Sequence, residues 1–117
     1  MVAAVTLLEE LLFVWTECRE WNWDCYEADA VTLENYQAAR KLIMSFPSDL
    51  PRPTVGADPD GQLTLEWYKT PTRSVSISVN SAGFLHYANP YGRTSTHGTI
   101  PFNGTVPNEL IELIEDI

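Results

Sequence analysis

Positive charge is scarce in this chain: seven lysines and arginines stand against sixteen aspartates and glutamates, for a formal charge of −9. Nucleic acids and anionic membranes are both recognised through positive surface, so direct binding to either is disfavoured and a basic protein partner is favoured. Cysteine is also nearly absent. Cys18 and Cys25 are too few for a disulfide framework and form no CxxC or Cys/His metal spacing, so free thiols and a reducing cytoplasm are expected. Long apolar runs are missing too. The opening MVAAVTLLEELLFVW has no basic n-region, and Glu9 and Glu10 interrupt it well short of the ~20 apolar residues of a membrane span, so it reads as neither signal peptide nor anchor. There is no internal repeat or low-complexity tract. With 117 residues, 44% hydrophobic, the chain can bury one core without metal or disulfide, and a single domain over 1–117 is expected.

The apolar residues present change their period along the chain. Ala4, Leu7, Leu8, Leu11, Leu12 and Trp15 recur at helical spacing, predicting an amphipathic helix from Ala4 to about Arg19. Thr32 is placed to cap a second helix with Glu34 in its first turn; Leu33, Tyr36, Ala39, Ile43 and Phe46 form its stripe, and Pro47 stops it. Ser48–Pro53 (SDLPRP) then reads as a stiff connector. From Leu63 the period becomes two. Leu63, Leu65 and Trp67 alternate with Thr64, Glu66 and Tyr68, and Val75, Ile77 and Val79 alternate with Ser74, Ser76 and Ser78. Turns at Asp58–Gly61, Asn80–Gly83 and Asn89–Gly92 are too short for parallel crossovers, so the sheet is antiparallel. Thr94–Ile100 reads as a last strand or an edge loop, since Gly98 and Pro101 oppose pairing. After Pro107, Leu110, Ile111, Leu113, Ile114 and Ile117 make a C-terminal helix. The grouping is α+β: an antiparallel meander of four to five strands with two N-terminal helices and one C-terminal helix on one face.

Negative charge is concentrated at the start. Residues 1–36 hold eight acids and one base, Arg19, which accounts for seven of the nine net charges. In their midst stands WNWDCYEADA, residues 21–30, where large rings that ask for burial sit among carboxylates that must stay wet or be paired. Two readings are open. In one, a ring folds over the end of the sheet as a lid; in the other, the rings form an aromatic anchor ringed by acids, the composition of a hot spot for a basic surface. If the segment is extended, Trp21 and Trp23 share a side and at least one ring packs on the core. The candidate partner-binding residues are Glu17, Glu20, Trp21, Trp23, Asp24, Tyr26, Glu27 and Asp29.

Three segments in order, W-N-W-D-C-Y at Trp21–Tyr26, F-P-S-D-L-P-R-P at Phe46–Pro53 and D-P-D-G-Q-L-T-L-E-W at Asp58–Trp67, carry a likeness. The chain resembles a group of small bacterial and mobile-element proteins with a W-x-W-D-G-Y-G-A-like segment, an L-P-x-P bend and a D-G-x-[IV]-x-[LF]-E-W strand. The resemblance spans roughly residues 21–110 and implies a common fold; it brings no activity with it. Cys25 and Glu27 stand where that pattern has glycines.

Catalytic chemistry finds no motif. There is no G-x-S-x-G, and the two histidines, His86 and His97, have no nucleophile placed beside them by spacing. Asp58, Asp60 and Gly61 lack the D-x-[DN]-x-[DN]-G spacing of a calcium loop, so no metal is expected, and no cofactor. Asp24 and Glu27 would raise the pKa of Cys25 rather than activate it. Arg93, Thr94, Thr96 and His97 form a hydroxyl-rich stretch that is a weaker candidate for binding an anion. The leading expectation is therefore a non-enzymatic, cytoplasmic, acidic binding module, inhibitor or immunity-like, covering a basic surface that normally holds nucleic acid. The alternatives are a small-ligand or enzymatic domain using the sheet face or Arg93–Thr99, and a structural homodimer joined through a sheet edge.

Overall fold

A computed structural model describes residues 2–117, with side chains from Leu7 onward. The first helix, α1, spans Val2–Glu17. Leu7 and Leu11, one turn apart, are buried, and Cys18 follows them into the core. Ala4, expected on the same stripe, lies outside the described side chains. Leu12 departs from expectation: it is 48% exposed, and Phe13 beside it is 66% exposed. Each residue advances about 100° round a helix, so 12 and 13 turn away from the side that Leu7 and Leu11 commit to the core.

Helix α2 spans Leu33–Met44. Thr32 caps it, its hydroxyl oxygen accepting from the Asn35 N–H at 3.1 Å, with Glu34 in the first turn and Lys41 in the last, as the helix dipole favours. Ala39, Leu42 and Ile43 are buried. Leu33, expected on the stripe, is exposed at the helix start, and Leu42 fills the core instead. The connector behind the helix is held from two sides. Glu10 of α1 pairs with Arg52 at 2.6 Å and accepts the Val55 N–H at 2.9 Å, while the Trp67 indole N–H donates to the Pro51 carbonyl at 2.7 Å.

Strands β1 (Thr54–Ala57), β2 (Leu63–Thr70), β3 (Arg73–Val79), β4 (Phe84–Tyr91) and β5 (Thr94–Pro101) form one sheet in sequence order, every neighbouring pair antiparallel. The register sets Leu65 opposite Ile77, Ile77 opposite Tyr87, and Leu85 opposite Ile100. Leu63, Leu65, Trp67, Val75, Ile77, Val79 and Leu85 are thereby all buried on one face. Helix α3 (Asn108–Glu115) adds Leu110 and Ile114 to the same cluster as α1 and α2. The opposite face carries Thr64, Ser74, Ser76, Ser78 and His86, none of them buried. This is the expected α+β layer fold with five strands, and β1 occupies residues for which the sequence pattern had named no strand. No helix among the described residues is long and apolar enough to cross a membrane.

Asn35 links helix to sheet. Its amide N–H donates to the Gly61 carbonyl at 2.8 Å, and its side-chain oxygen accepts the Ser81 N–H at 2.9 Å, so one side chain holds the β1–β2 and β3–β4 turns together. Removing it strands a donor and an acceptor. Asn35→Ala is expected to lower folding stability by roughly 1–3 kcal/mol, read as a shifted urea midpoint at unchanged slope. An unmoved midpoint would mean that water replaces both bonds without loss.

Candidate functional site

The segment between α1 and α2 is a closed loop. The Val31 N–H donates to the Cys18 carbonyl at 2.8 Å, and the Val31 carbonyl accepts the Trp15 indole N–H at 3.0 Å, so the two ends meet as in an Ω-loop. Trp15 stacks on Tyr36 with ring centroids 4.5 Å apart, and the Arg19 guanidinium lies 5.2 Å from its ring centre. The neck is thus fixed by aromatic packing as well as by hydrogen bonds.

Within the loop the backbone N–H groups of Asn22 and of Cys25 through Asp29 all have partners. The Asn22 N–H donates to the Ala28 carbonyl at 2.7 Å, and the Cys25 N–H to the Asn22 carbonyl at 3.0 Å. Asp24 Oδ1 accepts from the N–H groups of Tyr26 at 2.8 Å and Ala28 at 3.1 Å, an Asx-type turn, and Asn22 Oδ1 accepts from the Glu27 N–H at 2.7 Å. The Asp29 N–H donates to the Pro59 carbonyl at 2.7 Å, which fastens the loop to the β1–β2 turn. There Gly61, at φ 87°, leaves room for the Ala30 carbonyl, which a Cβ would meet at 3.0 Å. The Ala28 methyl is buried at the loop's base.

This folding replaces the extended geometry that would place Trp21 and Trp23 on one side. Asn22, Cys25 and Glu27 all adopt left-handed φ, 67°, 65° and 65°, and the period of two is lost. Trp23 turns inward, packs against the core and donates its indole N–H to the Asp29 carbonyl at 2.7 Å. Trp21 stays 61% exposed and Tyr26 86% exposed. One ring thus packs on the core, as expected, while Trp21 and Tyr26 remain in solvent. Cys25 and Glu27, where the resembled pattern has glycines, sit in the conformation that glycine adopts without a Cβ penalty.

The eight residues singled out from the sequence therefore divide. Trp23 and Asp24 support the loop from within, whereas Glu17, Glu20, Trp21, Tyr26, Glu27 and Asp29 are exposed. Among the described residues none of these carboxylates forms an ion pair; the only pair is Glu10 with Arg52. Phe13 belongs with the exposed group and was missed. It lies one helical turn from both Glu9 and Glu17, and its signal in the sequence is that LLFVW is apolar beyond the width of one buried stripe. Both cysteines are free thiols, and burial, assisted by Glu17, pushes the Cys18 thiol above its usual pKa.

The anion-binding alternative does not assemble. Arg93 lies in the β4–β5 turn, the Thr94 hydroxyl donates to the Tyr91 carbonyl at 2.8 Å, and Thr96 and His97, adjacent on β5, face opposite sides of the sheet. His86 meets Thr99 at 3.0 Å on the open face. No group of side chains among the described residues is arranged to hold a metal ion.

Fold and site together define an acidic α+β layer protein that displays aromatic rings on a tightly bonded loop. Comparison with protein families, with characterised proteins and with solved structures finds no match.

Two predictions follow from the loop's construction. Replacing Cys25 and Glu27 by glycine removes two left-handed strains of about 1–2 kcal/mol each, offset by glycine's backbone entropy of up to about 1. The double variant is therefore expected to melt higher than the parent, and a lower melting temperature would show that the Cβ atoms contribute more than they strain. The two tryptophans should separate as well. Trp23→Ala is expected to cost about 2–4 kcal/mol of stability through lost packing and an orphaned Asp29 carbonyl, whereas Trp21→Ala should leave thermal unfolding within about 0.5 kcal/mol of the parent.

Proposed function

We propose that this protein is a non-enzymatic binding module, inhibitor or immunity-like, that covers a basic surface of another protein, one suited to holding nucleic acid. The observation that carries the reading is the exposure of Trp21 and Tyr26 on a loop tied by hydrogen bonds from the backbone N–H groups of Asn22 and Cys25 through Asp29. A ring on a mobile loop would collapse onto the nearest apolar surface, and ordering it on binding would cost entropy. Here those bonds already set the path from Asn22 to Asp29, so rings and acids are presented at a reduced cost. Exposed aromatics in the same segment as carboxylates that form no ion pair among the described residues match the composition of a hot spot for Lys- and Arg-rich surface. Phe13, Glu17, Glu20, Trp21, Tyr26, Glu27 and Asp29 are the exposed residues of α1 and the loop that would meet the partner, with Trp23 and Asp24 bonded within the loop.

The test is retention of purified basic, nucleic-acid-binding proteins from the host on the immobilised protein. Retention is expected at about 50 mM salt and release by about 0.5 M, as screening shortens the reach of the charges. A Glu17→Lys/Glu20→Lys/Glu27→Lys variant should lose the partner, and Trp21→Ala should weaken it by 2 kcal/mol or more, roughly thirtyfold. Retention that ignores both salt and these substitutions would refute the reading.

A further inference from the structure

Strand β5 is the outermost strand on its side of the sheet: it pairs with β4, and no other described segment pairs with its far side. At the other end of the sheet the edge strand β1 is four residues long and packs beside α1, whereas β5 is eight residues long and largely exposed. Edge strands are commonly guarded by lysine, an inward charge, a bulge or an internal proline. The sequence TSTHGTIP has no lysine and no acid, its register with β4 runs unbroken from Thr94 to Phe84's partner Pro101, and its proline is the last residue. Every second residue of such a strand turns its N–H and C=O outward, ready to accept another strand.

What lies over this edge selects the occupant. Glu109, Glu112, Leu113 and Asp116 recur at i, i+3, i+4, i+7 along α3, and with Tyr87 of β4 and Thr96 of β5 they line an open groove of about 680 Å³. The side of α3 that lines this groove thus carries Glu109, Glu112, Glu115 and Asp116 with Leu110 and Leu113 among them, and at its C-terminal end the Arg73 guanidinium donates to the Asp116 carbonyl at 2.8 Å. A second copy added edge to edge with two-fold symmetry would bring two such faces together on the same side of the joined sheet, like charge against like. A strand with basic residues at alternate positions would instead place them about 7 Å apart, all on the helix side, within reach of the acids spaced along α3.

We infer that the free edge of β5, roofed by the acidic face of α3, is a docking site for an extended segment of a basic protein, which joins the sheet as a sixth strand with alternate Lys or Arg side chains in the groove. The inference goes beyond the aromatic loop and does not depend on it: the residues are different and lie on different elements.

Fluorescently labelled eight-residue peptides test it by anisotropy titration at about 0.1 M salt. One alternates lysine with threonine, one has the same composition with its lysines in a block, one alternates glutamate with threonine, and two are alternating lysine peptides N-methylated on one or the other set of alternate residues. The alternating lysine peptide is expected to bind at least tenfold more tightly than the blocked and glutamate peptides, and to slow amide exchange along Thr94–Pro101. One of the two N-methylated peptides should lose binding, because its methyl groups occupy the donors facing β5. The Glu109→Lys/Glu112→Lys/Asp116→Lys variant, checked for native melting, should exchange its preference to the glutamate peptide, while Trp21→Ala should bind the lysine peptide as the parent does. Equal binding of alternating and blocked peptides, indifference to both N-methylation patterns, or unchanged exchange along β5 would each overturn the inference. Loss of peptide binding in Trp21→Ala would also overturn it, by placing the peptide on the aromatic loop.

Discussion

The structure depends on one constraint, that the antiparallel meander has a single apolar face. Leu65 lies opposite Ile77 and Ile77 opposite Tyr87, so a slip of one residue in any pairing would carry serines into the core and leucines into water. Burying a leucine or isoleucine contributes about 1.5–3 kcal/mol, and β2, β3 and β4 each supply such residues to the same side. Once that side is fixed, all three helices must pack on it. The polar face of Thr64, Ser74, Ser76, Ser78 and His86 is left without a helix, and the ends of the sheet become the places where loops gather.

The acidic loop is built on one of those ends. Its rigidity comes from a small set of polar atoms: Asp24 and Asn22 collect three backbone N–H groups, the Trp23 indole bonds the Asp29 carbonyl, and the Asp29 N–H reaches the β1–β2 turn. The left-handed residues at 22, 25 and 27 are the conformational cost of this arrangement. They separate the two tryptophans into a supporting ring and a displayed ring. The same bonds that close the loop leave Trp21 and Tyr26 exposed.

Negative charge beside an exposed ring or an open strand edge is common to the two proposed surfaces. The N-terminal acids stand beside exposed rings on α1 and the loop, and the acids of α3 stand over an unguarded strand. Among the described residues none of these carboxylates forms an ion pair, although Arg73 and Lys69 bond backbone carbonyls at the end of α3; the one ion pair, Glu10 with Arg52, instead holds the proline-rich connector against α1.

Much of the fold was legible in the sequence because periodicity is a local signal. The alternation in β2 and β3, the Thr32 cap, the stop at Pro47 and the short turns each report a geometry set within a few residues. Leu12, Leu33 and Leu42 were not legible in the same way, since an apolar residue near the rim of a helical stripe is buried or exposed according to what packs beside it. Strand β1 likewise owes its pairing to β2 and to the Glu10 carboxylate from α1 rather than to its own four residues. The composition of WNWDCYEADA established that rings and acids share one segment. Which ring serves the core and which faces solvent was decided by tertiary contacts, because Pro59, Cys18 and Trp15 lie outside the segment and fix its path through hydrogen bonds that no local pattern encodes. The open edge of β5 and the acidic face above it are of the same kind: the sequence by itself determined an uncharged strand and an acidic helix, and only the folded chain set one over the other.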